Sequence, residues 1–231
     1  MEAPRAPIRR AGSEEGRRGH PLQNRVTPFG DLIATPARGT LMGNRGRLHD
    51  PGRRIVRRIA SGYRAWVTCR IEFRGRRREV MAPGRYTELF FLDEATALAA
   101  GHRPCGECRR ADYYRFKATW LVANRDRGLG PNAVIDAIDR ELHRDRLRPD
   151  GQPRTYLAKL RSLPDGVFVV RPDVAGALLV WRGRLAPWSP AGYGPLRPAP
   201  GGIAVRVLTP RSTATTITAG YAPAVHSSLA G

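Results

Sequence analysis

Lysine is almost absent from this chain. Of its 40 basic residues only Lys117 and Lys159 are lysine, which leaves 38 arginines against 20 acidic residues and a formal charge of +20. A coding bias toward arginine explains the choice of base but not the imbalance, so the sign of the charge is informative. Cysteine is scarce too: there are three, and an odd number without an export signal argues against a disulfide framework. No apolar run approaches the roughly 18 residues of a transmembrane helix. The first 24 residues lack the apolar centre of a secretory signal and are rich in Arg, Pro and Gly. They are expected to form a disordered basic arm, and the protein is expected to work in a reducing cytoplasm. Walker A, G-x-S-x-G and dinucleotide-binding patterns are also missing from the sequence, which removes the nucleotide-hydrolysis, serine-hydrolase and dehydrogenase readings that those motifs would carry.

What is present suits a folded, water-soluble protein. The 231 residues are 41% hydrophobic and 7% aromatic, enough for one sizeable core or two small ones. Arginine is concentrated in residues 53–85, where eleven arginines face only Glu72 and Glu79, a net charge of +9. Such a stretch attracts polyanions by counterion release, and planar guanidinium forks match phosphate oxygens. The expected partner is nucleic acid, DNA ahead of RNA, with no role at a membrane.

Residues 25–54 mix short apolar pieces with Gly, Pro and Asn and read as strand fragments and turns. In "RAWVTCRIEF" Val67, Cys69, Ile71 and Phe73 alternate with polar residues, the period of a half-buried strand. With the turn "RGR" and "RREVMAP", residues 64–82 predict a β-hairpin, and "RYTELFF" a further strand. Asp93 is placed to cap a helix over Glu94–Ala100 that stops at Gly101. Two more helices are expected over 110–126 and 132–146. "GVFVV", "ALLVW" and "IAVRVL" read as continuous apolar strands, and a last helix runs from about Thr209-Pro210 to Ala219. The Pro- and Gly-rich loop "LAPWSPAGYG" exposes Trp188 and Tyr193 on this reading, and His20 and His226 fall in flexible termini.

The chemistry centres on "RPCGEC". A C-x2-C turn lets two sulfurs reach one ion, and Zn²⁺ favours thiolate and imidazole ligands in tetrahedral array. The stretch "YTELFFLDEATALAAGHRPCGECRR" resembles the Ada-type zinc-binding module: a strand ending in aromatics, a short Ala-rich helix stopped by Gly, then R-P-C-x-x-C. Phe90, Phe91, Glu94, Ala95, Ala99, Gly101, Arg103, Pro104, Cys105 and Cys108 follow that order. The resemblance implies Zn²⁺ held by Cys105 and Cys108, and a link to DNA repair or processing. Upstream the chain departs from the module. A C-x3-C pair is replaced by the single Cys69, so the methyl-accepting role of that pair is not carried over. The fold expected is α+β, with a zinc-ribbon-like hairpin-and-helix module over residues 25–148 and a small β-rich part over 149–231.

The other ligands stay open. Cys69 is either a third ligand or a small apolar residue on the face of Val67, Ile71 and Phe73. His49, in "GNRGRLHD", and His102, beside the cysteine turn, are candidates for a fourth. Some nuclease-associated relatives of the module place a histidine after a Gly-Asn run, which gives an alternative reading. On it the chain is a hydrolytic enzyme acting on nucleic acid, with Asn44, His49 and Asp50 in its active site. A zinc deaminase is set aside, since no His or Cys is followed two residues later by Glu. For nucleic-acid contact the candidates are Arg74, Arg76, Arg77, Arg78, Arg109, Arg110, Tyr114 and Arg115. Tyr113, Phe116 and Trp120 recur at core spacing on the other face of their helix. A third class, a zinc-stabilised protein-interaction module, predicts a basic surface that binds no polyanion.

Overall fold

The computed structural model describes residues 20–75, 79–199 and 202–229. The predicted arm up to residue 19 and Arg76, Arg77 and Arg78 lie outside the described residues. The fold is α+β. Its first sheet is built from β1 (Gln23–Val26), β2 (Leu32–Ala34), β3 (Leu41–Asn44), β4 (Val67–Arg70) and β5 (Leu89–Phe91). Helix α1 (Glu94–Ala99) follows, and β6 (Arg103–Pro104) returns to the edge of the same sheet. The strand order is β2-β1-β5-β3-β4-β6, with β1/β5 and β4/β6 parallel. The period-two stretch does form a strand, but not the predicted hairpin. β4 pairs with β3, in register Met42↔Cys69, and with β6. Among the described residues, 71–75 and 79–82 contain bends and turns and no strand.

Helices α2 (Arg110–Ala123) and α3 (Ile135–Arg146) come next, close to their predicted positions. The second sheet contains β7 (Tyr156–Lys159), β8 (Phe168–Arg171), β9 (Val174–Trp181), β10 (Arg184–Ser189), β11 (Gly192–Tyr193), β12 (Arg197–Pro198) and β13 (Ala204–Val207). Its order is β11-β10-β9-β8-β13-β7, with β12 beside β10. Helix α4 (Arg211–Thr218) then forms where the sequence predicted it. Among the described residues no helix is long and apolar enough to cross a membrane.

The continuous apolar strands follow from burial on both faces of the second sheet. Val169, Leu178 and Val180 pack on Phe116, Trp120, Ile138 and Ile217 of α2, α3 and α4. Their neighbours Phe168, Ala177 and Leu179 point the other way, onto Leu92, Ala95 and Ala99. Ala97 and Ala100 turn toward Val26, Leu89 and Phe91 of the first sheet. Helix α1 therefore lies between the two sheets with all six residues buried, and its alanines let both sheets approach.

At its start Asp93 accepts hydrogen bonds from the Thr96 amide (2.8 Å) and hydroxyl (2.7 Å). At its end Gly101 has φ +82°, and a Cβ there would stand 2.6 Å from Arg146 Cδ. Gly101→Ala is expected to cost about 2–4 kcal/mol, from the left-handed backbone and the clash together. Urea unfolding should show this as a lower midpoint with an unchanged slope.

The C-terminal residues cover α1. Tyr221 Oη donates to Glu94 Oε1 (2.6 Å) and the Ala224 amide to Glu94 Oε2 (3.0 Å). The His226 amide and Tyr193 Oη both donate to Asp93 Oδ2, at 2.9 and 2.7 Å. Two expectations change accordingly. His226 belongs to an anchored strap, and Tyr193 is buried rather than exposed in a loop. Trp188 is half-buried and donates to Thr96 Oγ1 at 3.2 Å.

Candidate metal centre

The cysteine turn is positioned by the sheet. Val67 pairs with Arg103 and Thr68 with Pro104 across β4 and β6, so the next residue, Cys105, emerges beside Cys69. The Cys105 amide donates to Thr68 O (2.9 Å) and the Arg109 amide to Cys105 O (3.1 Å), which folds the turn back into α2. The Glu107 amide points at Cys105 Sγ at 3.4 Å. The three sulfurs of Cys69, Cys105 and Cys108 all lie within 4.8 Å of one another. Thiolates about 2.3 Å from one tetrahedral ion stand about 3.8 Å apart. The cluster could therefore hold a metal ion with little movement.

The three thiols also perturb one another. The Cys105 thiol is pushed down to about 5, first because the Cys69 thiol donates to it, then by the amides of Cys108 and Glu107. Cys69 is pushed up, mainly by donating that hydrogen bond and then by burial, and Cys108 is pushed up by burial. The sulfurs are close enough to share protons. A cation displaces such protons on binding.

The cluster faces a cavity of about 330 Å³ whose walls include Met42, Asn44, Arg70, Phe73, Glu88 and Phe90. Phe73 occupies the place where a C-x3-C pair starting at Cys69 would put its second sulfur. A fourth ligand position would thus open on the cavity rather than on a cysteine. Glu88 is buried, and its Oε2 accepts from the Met81 amide (2.7 Å).

The other predicted residues are distributed more widely. Asn44 shares the thiolate cavity, whereas His49 does not belong to the cluster. His49 is buried with Nδ1 2.6 Å from Thr87 Oγ1 and Nε2 3.2 Å from Ala82 O, so both ring nitrogens are engaged. Asp50 accepts from the amide and Nε of Arg54 at the surface, and that contact holds its carboxyl below the usual range. His102 is buried against Trp66 and Phe91 and is likewise outside the cluster.

Arg109 is buried, donating to Glu94 Oε1 (2.7 Å), Thr68 Oγ1 (2.8 Å) and Asp112. It ties the cysteine turn to α1 and is turned away from solvent. Arg110, Tyr114, Arg115 and Arg74 are exposed, with Arg110 stacked on the Tyr114 ring at 5.3 Å. Sequence reasoning placed Arg103 in the cysteine-turn pattern but missed Asp139, to which its guanidinium makes two 2.7 Å bonds that join β6 to α3. Their pairing 36 residues apart has no local signal.

Comparison with family models, with curated proteins and with solved structures finds no match in any of the three. Fold and site together define the class: an α+β protein with a three-cysteine cluster set between a sheet edge and a helix.

Proposed function

We propose that the chain is a zinc protein that binds nucleic acid, DNA ahead of RNA. The carrying observation is the run of exposed arginines along residues 53–85, one of which lines the cysteine cavity. Arg53, Arg54, Arg57, Arg58, Arg64, Arg70, Arg74 and Arg85, all the described arginines of residues 53–85, are exposed. Arg53, Arg54 and Arg58 pair with Glu79, Asp50 and Asp31. Arg57, Arg64, Arg70, Arg74 and Arg85 have no carboxylate partner among the described residues, and Arg70 lines the cavity itself. An all-sulfur donor set suits zinc and disfavours magnesium or calcium. Three thiolates around a divalent ion leave a formal charge of −1, a weak activator of water, which favours a structural role for the metal. The Ada-type turn supports DNA as the polyanion.

Binding should be steeply salt-dependent. Five unpaired guanidiniums releasing counterions give a log–log slope near −4.5, or about 500-fold weaker binding at 200 mM salt than at 50 mM. Fluorescence anisotropy with labelled duplex DNA and RNA measures this directly. An affinity that does not change with salt would sink the reading.

A further inference from the structure

We propose that a second cavity, walled by Arg45 and Arg146 against Trp66, binds a small molecule carrying a phosphate monoester group. The cavity has a volume of about 250 Å³, and its lining includes Phe29, Arg45, Arg58, Trp66, Arg146 and Arg154. Arg45 is 2% exposed and Arg146 4%. Every acceptor they meet is uncharged. Arg45 Nη2 donates to Gly30 O (3.0 Å), and Arg146 donates to Gly101 O (2.8 Å) and Arg64 O (2.6 Å) and contacts His143 Nδ1 (3.0 Å). The Nε of each is buried without a protein partner. Their guanidinium carbons lie 4.9 and 4.1 Å from the Trp66 ring centroid.

This protein neutralises its buried arginines elsewhere. Arg103 has Asp139, and Arg109 has Glu94 and Asp112. Arg45 and Arg146 are fully enclosed, yet neither forms an ion pair among the described residues. A buried charge without a counter-ion is costly, and these two also repel. Burial first, and then like-charged neighbours (Arg58 for Arg45; Arg103 and Arg45 for Arg146), bring both guanidiniums down to about 9, although Asp139 opposes this at Arg146 and Asp31 at Arg45. Behind them His102 is kept neutral by burial and by the same two arginines, with Nε2 unpartnered.

At the rim are Arg58, bonded to Asp31 (2.6 Å), and the exposed Arg154. Four guanidiniums against one carboxylate give +3, which suits a doubly charged oxyanion better than a monoanion. The walls of Phe29, Trp66 and Leu208 leave an apolar face for the organic part of the ligand. The inference stands apart from the nucleic-acid reading, since it rests on the buried Arg45 and Arg146 and shares only Arg58 with the exposed arginines.

Thermal unfolding with inorganic phosphate or adenosine monophosphate at 10 mM, with ionic strength matched by chloride, tests this. Both anions are expected to raise the wild-type midpoint by at least 3 °C, adenosine alone by none. Arg45→Met and Arg146→Met are expected to unfold no lower than wild type in chloride, because each removes an uncompensated charge, and to lose the phosphate shift. Arg58→Ala, altered only at the rim, should keep the fold and weaken phosphate affinity several-fold by calorimetry. The proposal is overturned if phosphate gives the wild type no shift, if the shift survives in both methionine variants, or if Arg58→Ala binds phosphate as wild type does. A large fall in the midpoint of both methionine variants in chloride would likewise overturn it, by showing that the arginines serve the fold.

Discussion

Cys105→Ser is expected to empty the metal centre and destabilise the protein by about 3–5 kcal/mol. Wild-type protein purified without chelator should carry one zinc per chain by mass spectrometry, and the variant almost none. The size follows from what the turn joins. Cys105 sits where β6 ends and the loop into α2 begins, and its sulfur shares the cluster with Cys69 of β4. Removing one of three donors leaves two thiolates close together with no cation between them. Structural zinc gives small peptides roughly 10–16 kcal/mol; the loss here is smaller because the sheets and α1 keep their own core. Cys69→Ser should behave alike, which separates a third ligand from a core thiol. Metal absent from the wild type would refute the centre, and a metal-free variant of unchanged stability would refute its structural role.

The second large effect is expected at Glu94. Its carboxylate is 1% exposed and receives Arg109, the Tyr221 hydroxyl and the Ala224 amide. Glu94→Ala strands three donors at once, one of them a buried cation left with Asp112 and Thr68. Breaking a buried pair from one side costs about 3–5 kcal/mol. Tyr221→Phe removes one hydroxyl while Glu94 keeps its other partners, so about 1–2 kcal/mol is expected. Urea denaturation of the two variants distinguishes the cases. If Glu94→Ala costs less than about 1 kcal/mol, the carboxylate is not what fastens the strap to α1.

Elements governed by neighbours in the chain were legible in the sequence. Asp93 and Gly101 bound α1 because capping and left-handed stops act over three or four residues. Cys105 and Cys108 were readable from their spacing, and the apolar strands from their composition. Pairing was not readable. The alternation of residues 67–73 announced a strand but could not say that β3 and β6, rather than residues 79–82, would lie beside it. Tyr193 sits among Pro and Gly that suggest a solvent-facing loop; Asp93, 100 residues away, draws it inside. Arg45 and Arg146 were unreadable for the same reason. Among 38 arginines nothing local marks the two that fold inward without a carboxylate, and in GNRGRLHD it is His49 and Asp50, not Arg45, whose side chains carry a recognisable chemistry.

The strap over α1 also orders events during synthesis. Glu94 leaves the ribosome 127 residues ahead of Tyr221, a delay of roughly 6–25 s at about 5–20 residues per second. Arg109 arrives only 15 residues behind Glu94, so the acid meets its cation early and its hydroxyl late. For that interval Glu94 can meet Arg109 but not Tyr221 or Ala224, so the flank of α1 that the strap covers has nothing yet made to cover it.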